Sequence, residues 1–161
     1  MIQEKGNEKE CVVEDIGNKS SHLPDSEEIL REVFRHKFRS IIDGKDAYKQ
    51  IRVIPKHVPR MLFTTPDGTM ESLVMQQGDC NAGAMYQTLM NHIFASYIRV
   101  FMYIYLDDVI IFSDSVEDHL KHIKTVFDVL WKECLFLSPN KMQFFAEELK
   151  ILRHIVNNNG I

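Results

Sequence analysis

Asp107 and Asp108 interrupt an otherwise apolar run, Val100-Phe101-Met102-Tyr103-Ile104-Tyr105-Leu106-Asp107-Asp108-Val109-Ile110-Ile111-Phe112. An unpartnered charge is costly to bury, so paired acids flanked by strand-forming residues require water, a turn or a metal ion. The simplest arrangement is a β-hairpin with Asp107 and Asp108 at its tip. Two like charges fixed at the exposed end of rigid strands suit divalent cations, and metal-assisted phosphoryl chemistry uses such seats. An ordinary acidic turn is the alternative, because aspartate is a common turn residue.

The flanking segments suggest how the pair is positioned. Pro24 and Asp25 open a helix with Ile29, Leu30, Val33 and Phe34 on one face, and Asp25 with Glu28 has capping-box spacing. Phe38–Asp43 and Ala47–Ile54 read as strands divided by a break at Gly44. Met61–Thr65 and Met70–Met75 read as a hairpin about Pro66-Asp67-Gly68-Thr69. Residues 82–97 have helical spacing through Met85, Leu89, Ile93 and Tyr97. Beyond the acidic hairpin, Ser113-Asp114-Ser115 can cap a helix running to about Glu133, with Leu120, Ile123, Val126, Phe127 and Leu130 on its apolar side. Two short strands, Met142–Phe145 and Lys150–Val156, close the chain. This order indicates an α+β fold, an antiparallel sheet with helices packed on one face.

The 161 residues suffice for one domain, and the 45% hydrophobic and 26% charged content is globular. The net charge of −4 is local: residues 1–33 carry nine acids and four bases, leaving fourteen acids and fifteen bases for the rest. A mildly basic remainder permits phosphate contact. Residues 1–23 read as an acidic, poorly ordered leader. Neither a signal-peptide core nor a long apolar span occurs, so a soluble, intracellular protein without membrane contact is expected. Cys11, Cys80 and Cys134 are too scattered for a disulfide framework or a zinc site. His119 and His122 read as part of a solvated helix face, Met75, Met85, Met90 and Met102 as core filler, and Trp131 as a packing anchor.

Four motifs in order give the chain a family resemblance. Phe38–Asp43 followed by Gly44-Lys45-Asp46-Ala47-Tyr48 looks like a first palm motif; Gln77-Gly78-Asp79-Cys80-Asn81-Ala82 with Tyr86-Gln87 looks like the second; Tyr105-Leu106-Asp107-Asp108 has the YxDD form; Lys141, Phe144-Phe145 and Leu152-Arg153-His154 look like the next two. Together they resemble the reverse transcriptases of Ty3/Gypsy-like long-terminal-repeat retrotransposons from about Leu23 to Ile161.

That resemblance implies a palm with partial fingers over residues 24–161, with a fingers remnant in the leader and no thumb or RNase H segment. It implies RNA-directed DNA polymerase activity: a primer 3′-hydroxyl attacks a deoxynucleoside triphosphate on an RNA or DNA template. Two Mg²⁺ ions, about 3.5–4 Å apart, serve such transfers, with Mn²⁺ as a substitute. Asp43, Asp107 and Asp108 are the implied catalytic metal ligands, Asp108 in the more supporting role. Straight-strand alternation would place Asp107 on the side of Tyr105 and Tyr103. Tyr48 resembles the ring that fills the space of a 2′-hydroxyl, Gln77 and Gly78 the loop against the incoming nucleotide, and Lys141 a proton donor to pyrophosphate. The remaining retroelement polyprotein domains are implied partners.

The sequence departs from the family pattern in three places. Glu10–Lys19 lacks the basic residues expected to grip a triphosphate, Arg153 stands where glycine is usual, and Gly83 replaces a proline or small apolar residue. The missing basic residues and Arg153 support an alternative, a truncated and inactive remnant with weak nucleic-acid binding. A nucleotide cyclase, which also places acids on a hairpin, is a third reading that the first two motifs disfavour.

Overall fold

The computed structural model describes residues 24–44, 46–152 and 154–157. The acidic leader, its fingers remnant and Arg153 lie outside the described residues. Helix α1 (Ser26–Arg35) starts where expected, the Asp25 carboxylate accepting from the Glu27 N–H at 3.0 Å. Glu28 does not complete a capping box. Its carboxylate instead accepts from the Tyr103 hydroxyl at 3.2 Å and pairs with Arg99 at 3.4 Å. The other end of α1 is closed by buried Arg39, which donates to the carbonyls of Val33 at 2.8 Å and Phe34 at 2.9 Å. The Val33 carbonyl also accepts from the His36 N–H at 3.4 Å, so the last turn of α1 is closed by backbone and side chain together.

The central sheet is antiparallel, with β5 (Asp108–Ser113) between β1 (Phe38–Asp43) and β4 (Met102–Tyr105). Both faces are covered, which is why β4 and the Val109–Phe112 run of β5 do not alternate between apolar and polar residues, while β1 buries Arg39 and Ser40 as well as Ile41 and Ile42. Ile42, Ile104, Val109 and Ile111 pack with α2 (Ala82–Ile93) and α3 (Val116–Lys132), the expected helical layer. Ile41, Tyr103, Ile110 and Phe112 pack with α1 and with a late hairpin, β6 (Glu148–Ile151) and β7 (His154–Asn157). Each fully buried isoleucine here contributes roughly 1.5–3 kcal/mol of burial free energy.

Several expectations are revised. The segment after β1 is a 3₁₀ turn over Ala47–Gln50 rather than a strand: Asp46 has φ +46°, and Lys49 N–H bonds Asp46 C=O at 2.8 Å. Met142–Phe145 does not form a regular strand either. Residues 137–146 run along the free edge of β1 as a broken ribbon, with Ser138 N–H on Asp43 C=O, paired bonds between Ile41 and Gln143, and Ala146 N–H on Arg39 C=O. Phe145 at φ +52° is one reason the ladder breaks. The Pro66 hairpin is shorter than expected, β2 (Leu62–Thr65) and β3 (Gly68–Glu71), and largely exposed.

On α3 the buried line runs through His119, Val126 and Leu130, while Leu120 is exposed. His119 is fully buried, so the solvated-face reading fails for it. Its Nε2 lies 2.7 Å from Ser40 Oγ and its Nδ1 2.8 Å from Ser113 Oγ, which also meets His122 Nδ1 at 2.8 Å. Met75, Met90 and Met102 are core residues, but Met85 is exposed, and Trp131, at 87% exposure, is no packing anchor.

Candidate active site

The two-residue turn Leu106–Asp107 joins β4 to β5, so Asp108 is the first ladder residue and only Asp107 of the two acids stands in the turn. Tyr105, Asp108 and Asp43 occupy directly opposed positions across β4, β5 and β1. Opposed residues share a face, with Cβ atoms about 4.5–5.5 Å apart. Asp108, rather than Asp107, therefore lies on the side of Tyr105 and Tyr103, because the turn interrupts the alternation of a straight strand. Asp107 is joined to the same end through its carbonyl, which accepts from the Gly44 N–H at 3.2 Å. Asp43 and Asp108 thus stand opposite each other where β1 ends and β5 begins, near enough to Asp107 for its charge to act on Asp108.

Their electrostatics reflect that crowding. Burial, then the charges of Asp107 and Asp43, push the Asp108 carboxyl up to about 6, with Lys141 acting in the opposite direction. Lys141 follows the ribbon along β1, and its Nζ stands 3.3 Å from both Asp43 oxygens. Its distance to Oδ1 does not bring hydrogen-bond alignment: Oδ1 is buried without a hydrogen-bond partner. Among the described residues no three potential ligands form a ready-made metal cage. The donor chemistry nevertheless fits Mg²⁺ or Mn²⁺: every available atom is a hard carboxylate oxygen, one is orphaned, and a cation would relieve the mutual repulsion.

Tyr48 sits on the 3₁₀ turn beside this end, edge-on to Tyr86 with centroids 5.6 Å apart. Burial first and the Asp107 charge second raise both phenols above their ordinary value, so both remain neutral hydroxyls. The Gln50 side chain anchors this turn, donating to Phe136 C=O at 2.9 Å and accepting from Phe136 N–H at 2.6 Å. Gln77 and Gly78 lie on a separate exposed turn in which Gly78 has φ +105°, a conformation that favours glycine. The Asp79 carboxylate closes it by accepting from Gln76 N–H at 2.8 Å, and an isolated Arg52–Val74 bridge ties the segment before it to the chain that follows the Tyr48 turn. Asp43, Asp107, Asp108, Tyr48 and Lys141 come together; none of these bonds brings Gln77 or Gly78 to the acids.

Two residues of the second motif have contacts that the sequence did not disclose. A Cβ on Gly44 would stand 3.0 Å from Tyr86 Oη, so glycine lets that phenol approach the end of β1. Fully buried Gln87 bonds the backbone of the acidic hairpin. The available sequence signal was a polar amide within the apolar stripe of α2.

The family profile described as reverse transcriptase (RNA-dependent DNA polymerase) matches residues 5–156. The chain belongs to that family. Its relatives include Pol polyproteins of the Drosophila melanogaster transposons 297, 34% identical over 139 residues, and gypsy, 31% identical over 138 residues. Each alignment covers 86% of this chain and 13% of the polyprotein, so the chain spans about an eighth of those relatives' length. A Tf2-3 transposon polyprotein from Schizosaccharomyces pombe is 30% identical over 138 residues, 86% of this chain and 10% of that one. These relatives are Ty3/Gypsy-type elements. The fold matches the foamy viral protease-reverse transcriptase in complex with an RNA/DNA hybrid, with a TM-score of 0.78, 21% identity, and coverage of 86% of this chain and 19% of that one.

Proposed function

We propose that this chain carries the catalytic carboxylates of an RNA-directed DNA polymerase that transfers a deoxynucleotide from its triphosphate to a primer 3′-hydroxyl. The observation that carries this reading is the opposition of Asp43 and Asp108 across β1 and β5, with Asp107 bonded to the adjoining Gly44. Divalent cations, when bound, would supply Lewis-acid stabilisation of the developing phosphoryl charge. Asp43 and Asp107 are the proposed principal ligands, and Asp108 a supporting acid whose proton is lost on loading. The Tyr48 ring is proposed to fill the place of a 2′-hydroxyl, which excludes ribonucleotides sterically. Gln77 and Gly78 are proposed to lie against the incoming nucleotide, where a glycine backbone permits close approach. Lys141 would leave Asp43 for the departing pyrophosphate and give it a proton.

The proposed partners are primed RNA or DNA template and deoxynucleoside triphosphates, together with further polyprotein domains. No helix among the described residues is long and apolar enough to cross a membrane. Primer extension by the purified chain in Mg²⁺ or Mn²⁺, beside Asp107→Asn, is the test. Incorporation by the first and not the second supports the reading, and equal behaviour overturns it. The Lys141–Asp43 ion pair favours one other reading, a non-catalytic fragment that binds nucleic acid through phosphate contacts. Salt-sensitive binding without incorporation would support that reading instead.

A further inference from the structure

The turn that carries the acids adopts a backbone conformation unfavourable to its own sequence. Leu106 has φ +54°, in the left-handed region, at the first position of a two-residue hairpin turn. Such positions favour glycine or asparagine, because a side chain there crowds the backbone. Two-residue turns also leave the N–H of their first central residue outside the ladder. Leu106 is half-buried, so that N–H requires a partner.

We infer that Gln87 is a positioning residue whose side-chain amide holds this turn in shape and thereby sets where Asp107 and Asp108 stand. Gln87 Oε1 accepts from Leu106 N–H at 2.8 Å, while Nε2 donates to Ile104 C=O at 3.0 Å and to Asn91 Oδ1 at 2.9 Å. The amide can face only one way, because flipping it would set a donor against the Leu106 N–H. One side chain therefore grips the backbone on both sides of Tyr105. It is fully buried, so water cannot replace it. The leucine side chain lies beside α2, since a Cβ added to Gly83, one turn before Gln87, would lie 3.4 Å from Leu106 Cδ2. The hairpin end is thus tied to α2 through the Gln87 bonds to Ile104 and Leu106.

This inference rests on the proposed metal role only in its effect on cation binding; the holding of the turn stands independently. The test uses the full chain and two readouts, amide hydrogen exchange at residues 104–108 without metal and Mn²⁺ affinity. In the unsubstituted protein the Leu106 amide is expected to exchange on the order of 100-fold more slowly than an open turn amide. Exchange at the rate of an unprotected amide overturns the inference without any variant. Gln87→Met preserves volume and removes all three side-chain bonds; it is expected to abolish the Leu106 protection and weaken Mn²⁺ binding about tenfold, as loss of an outer-shell partner does. Leu106→Gly accepts the φ value without help, so adding Gln87→Met to that background should change Mn²⁺ affinity less than about twofold. Equal losses in both backgrounds would assign Gln87 a general core role and overturn the inference. If the unsubstituted chain and Asp107→Asn both fail to bind Mn²⁺, the polymerase reading fails, and the exchange data alone decide the role of Gln87.

Discussion

The two ends of the central sheet solve opposite problems. At one end, where β1 meets the β4–β5 turn, three carboxylates crowd together and one buried oxygen of Asp43 has no hydrogen-bond partner. Toward the other, Ser40, Ser113 and His119 are fully buried and mutually bonded, and the Phe145 N–H donates to Ser40 Oγ at 3.1 Å. The satisfied end fastens α3 and the late ribbon to the sheet; the unsatisfied end retains repulsion that a ligand can relieve. Buried polar groups serve stability when complete and leave capacity for binding when incomplete.

The most severe way to break this contrast is at the acids. Asp107→Asn should lower primer extension about 100-fold or more, a loss of the size seen when a group stabilising transition-state charge is removed, while thermal unfolding shows no loss of stability. At the other end, His119→Phe should cost about 2–4 kcal/mol in urea unfolding, because Ser40 and Ser113 lose a buried partner. The two ends should also titrate in opposite senses. Burial, and then His122, hold His119 down at about 4, so its contribution is full above the unfolded value near 6.5 and is lost as pH falls through 4. That loss should amount to about 2–3 kcal/mol, and His119→Phe should remove this part of the pH dependence.

Asp108, raised to about 6, favours the fold while protonated and costs stability as pH rises from about 4 through 6. In metal-free protein at pH 7.5, Asp108→Asn should therefore gain about 1–2 kcal/mol after allowance for solvent screening. The opposed slopes partly cancel in the unsubstituted chain, and each variant unmasks the other. Smallest of all, Gly83→Ala meets only an ordinary contact with Leu106 and should stabilise α2 by no more than about 1 kcal/mol, measured as a rise in Tm.

The acids were legible because chemistry limits where carboxylates can interrupt an apolar run, and Asp43 and Asp108 stand opposite each other across β1 and β5. Strand identity was legible wherever burial on both faces made the apolar run continuous, as in Val109–Phe112. The 3₁₀ turn was not: Ala47 and Ile51 are both buried, a spacing that also suits a strand bordered by other apolar residues, and only the left-handed Asp46 decides it. A histidine beside Glu117 and Asp118 looks solvated in the sequence, whereas Ser40 and Ser113, the partners that bury His119, lie on β1 and β5. Gln87 belongs to the second motif, yet nothing local says that its amide meets a turn nineteen residues on.

The ribbon along β1 bears on self-association. By occupying the outer edge of that strand at Arg39, Ile41 and Asp43, it removes a row of groups onto which another chain could add a strand. The far edge is guarded too, with Met102 C=O taken by the Arg99 N–H and Ile104 C=O by Gln87. The β2–β3 hairpin, with Leu62, Phe63 and Met70 exposed, has no comparable cover described. Aggregation of the isolated chain should accordingly begin at that hairpin and leave the central sheet intact.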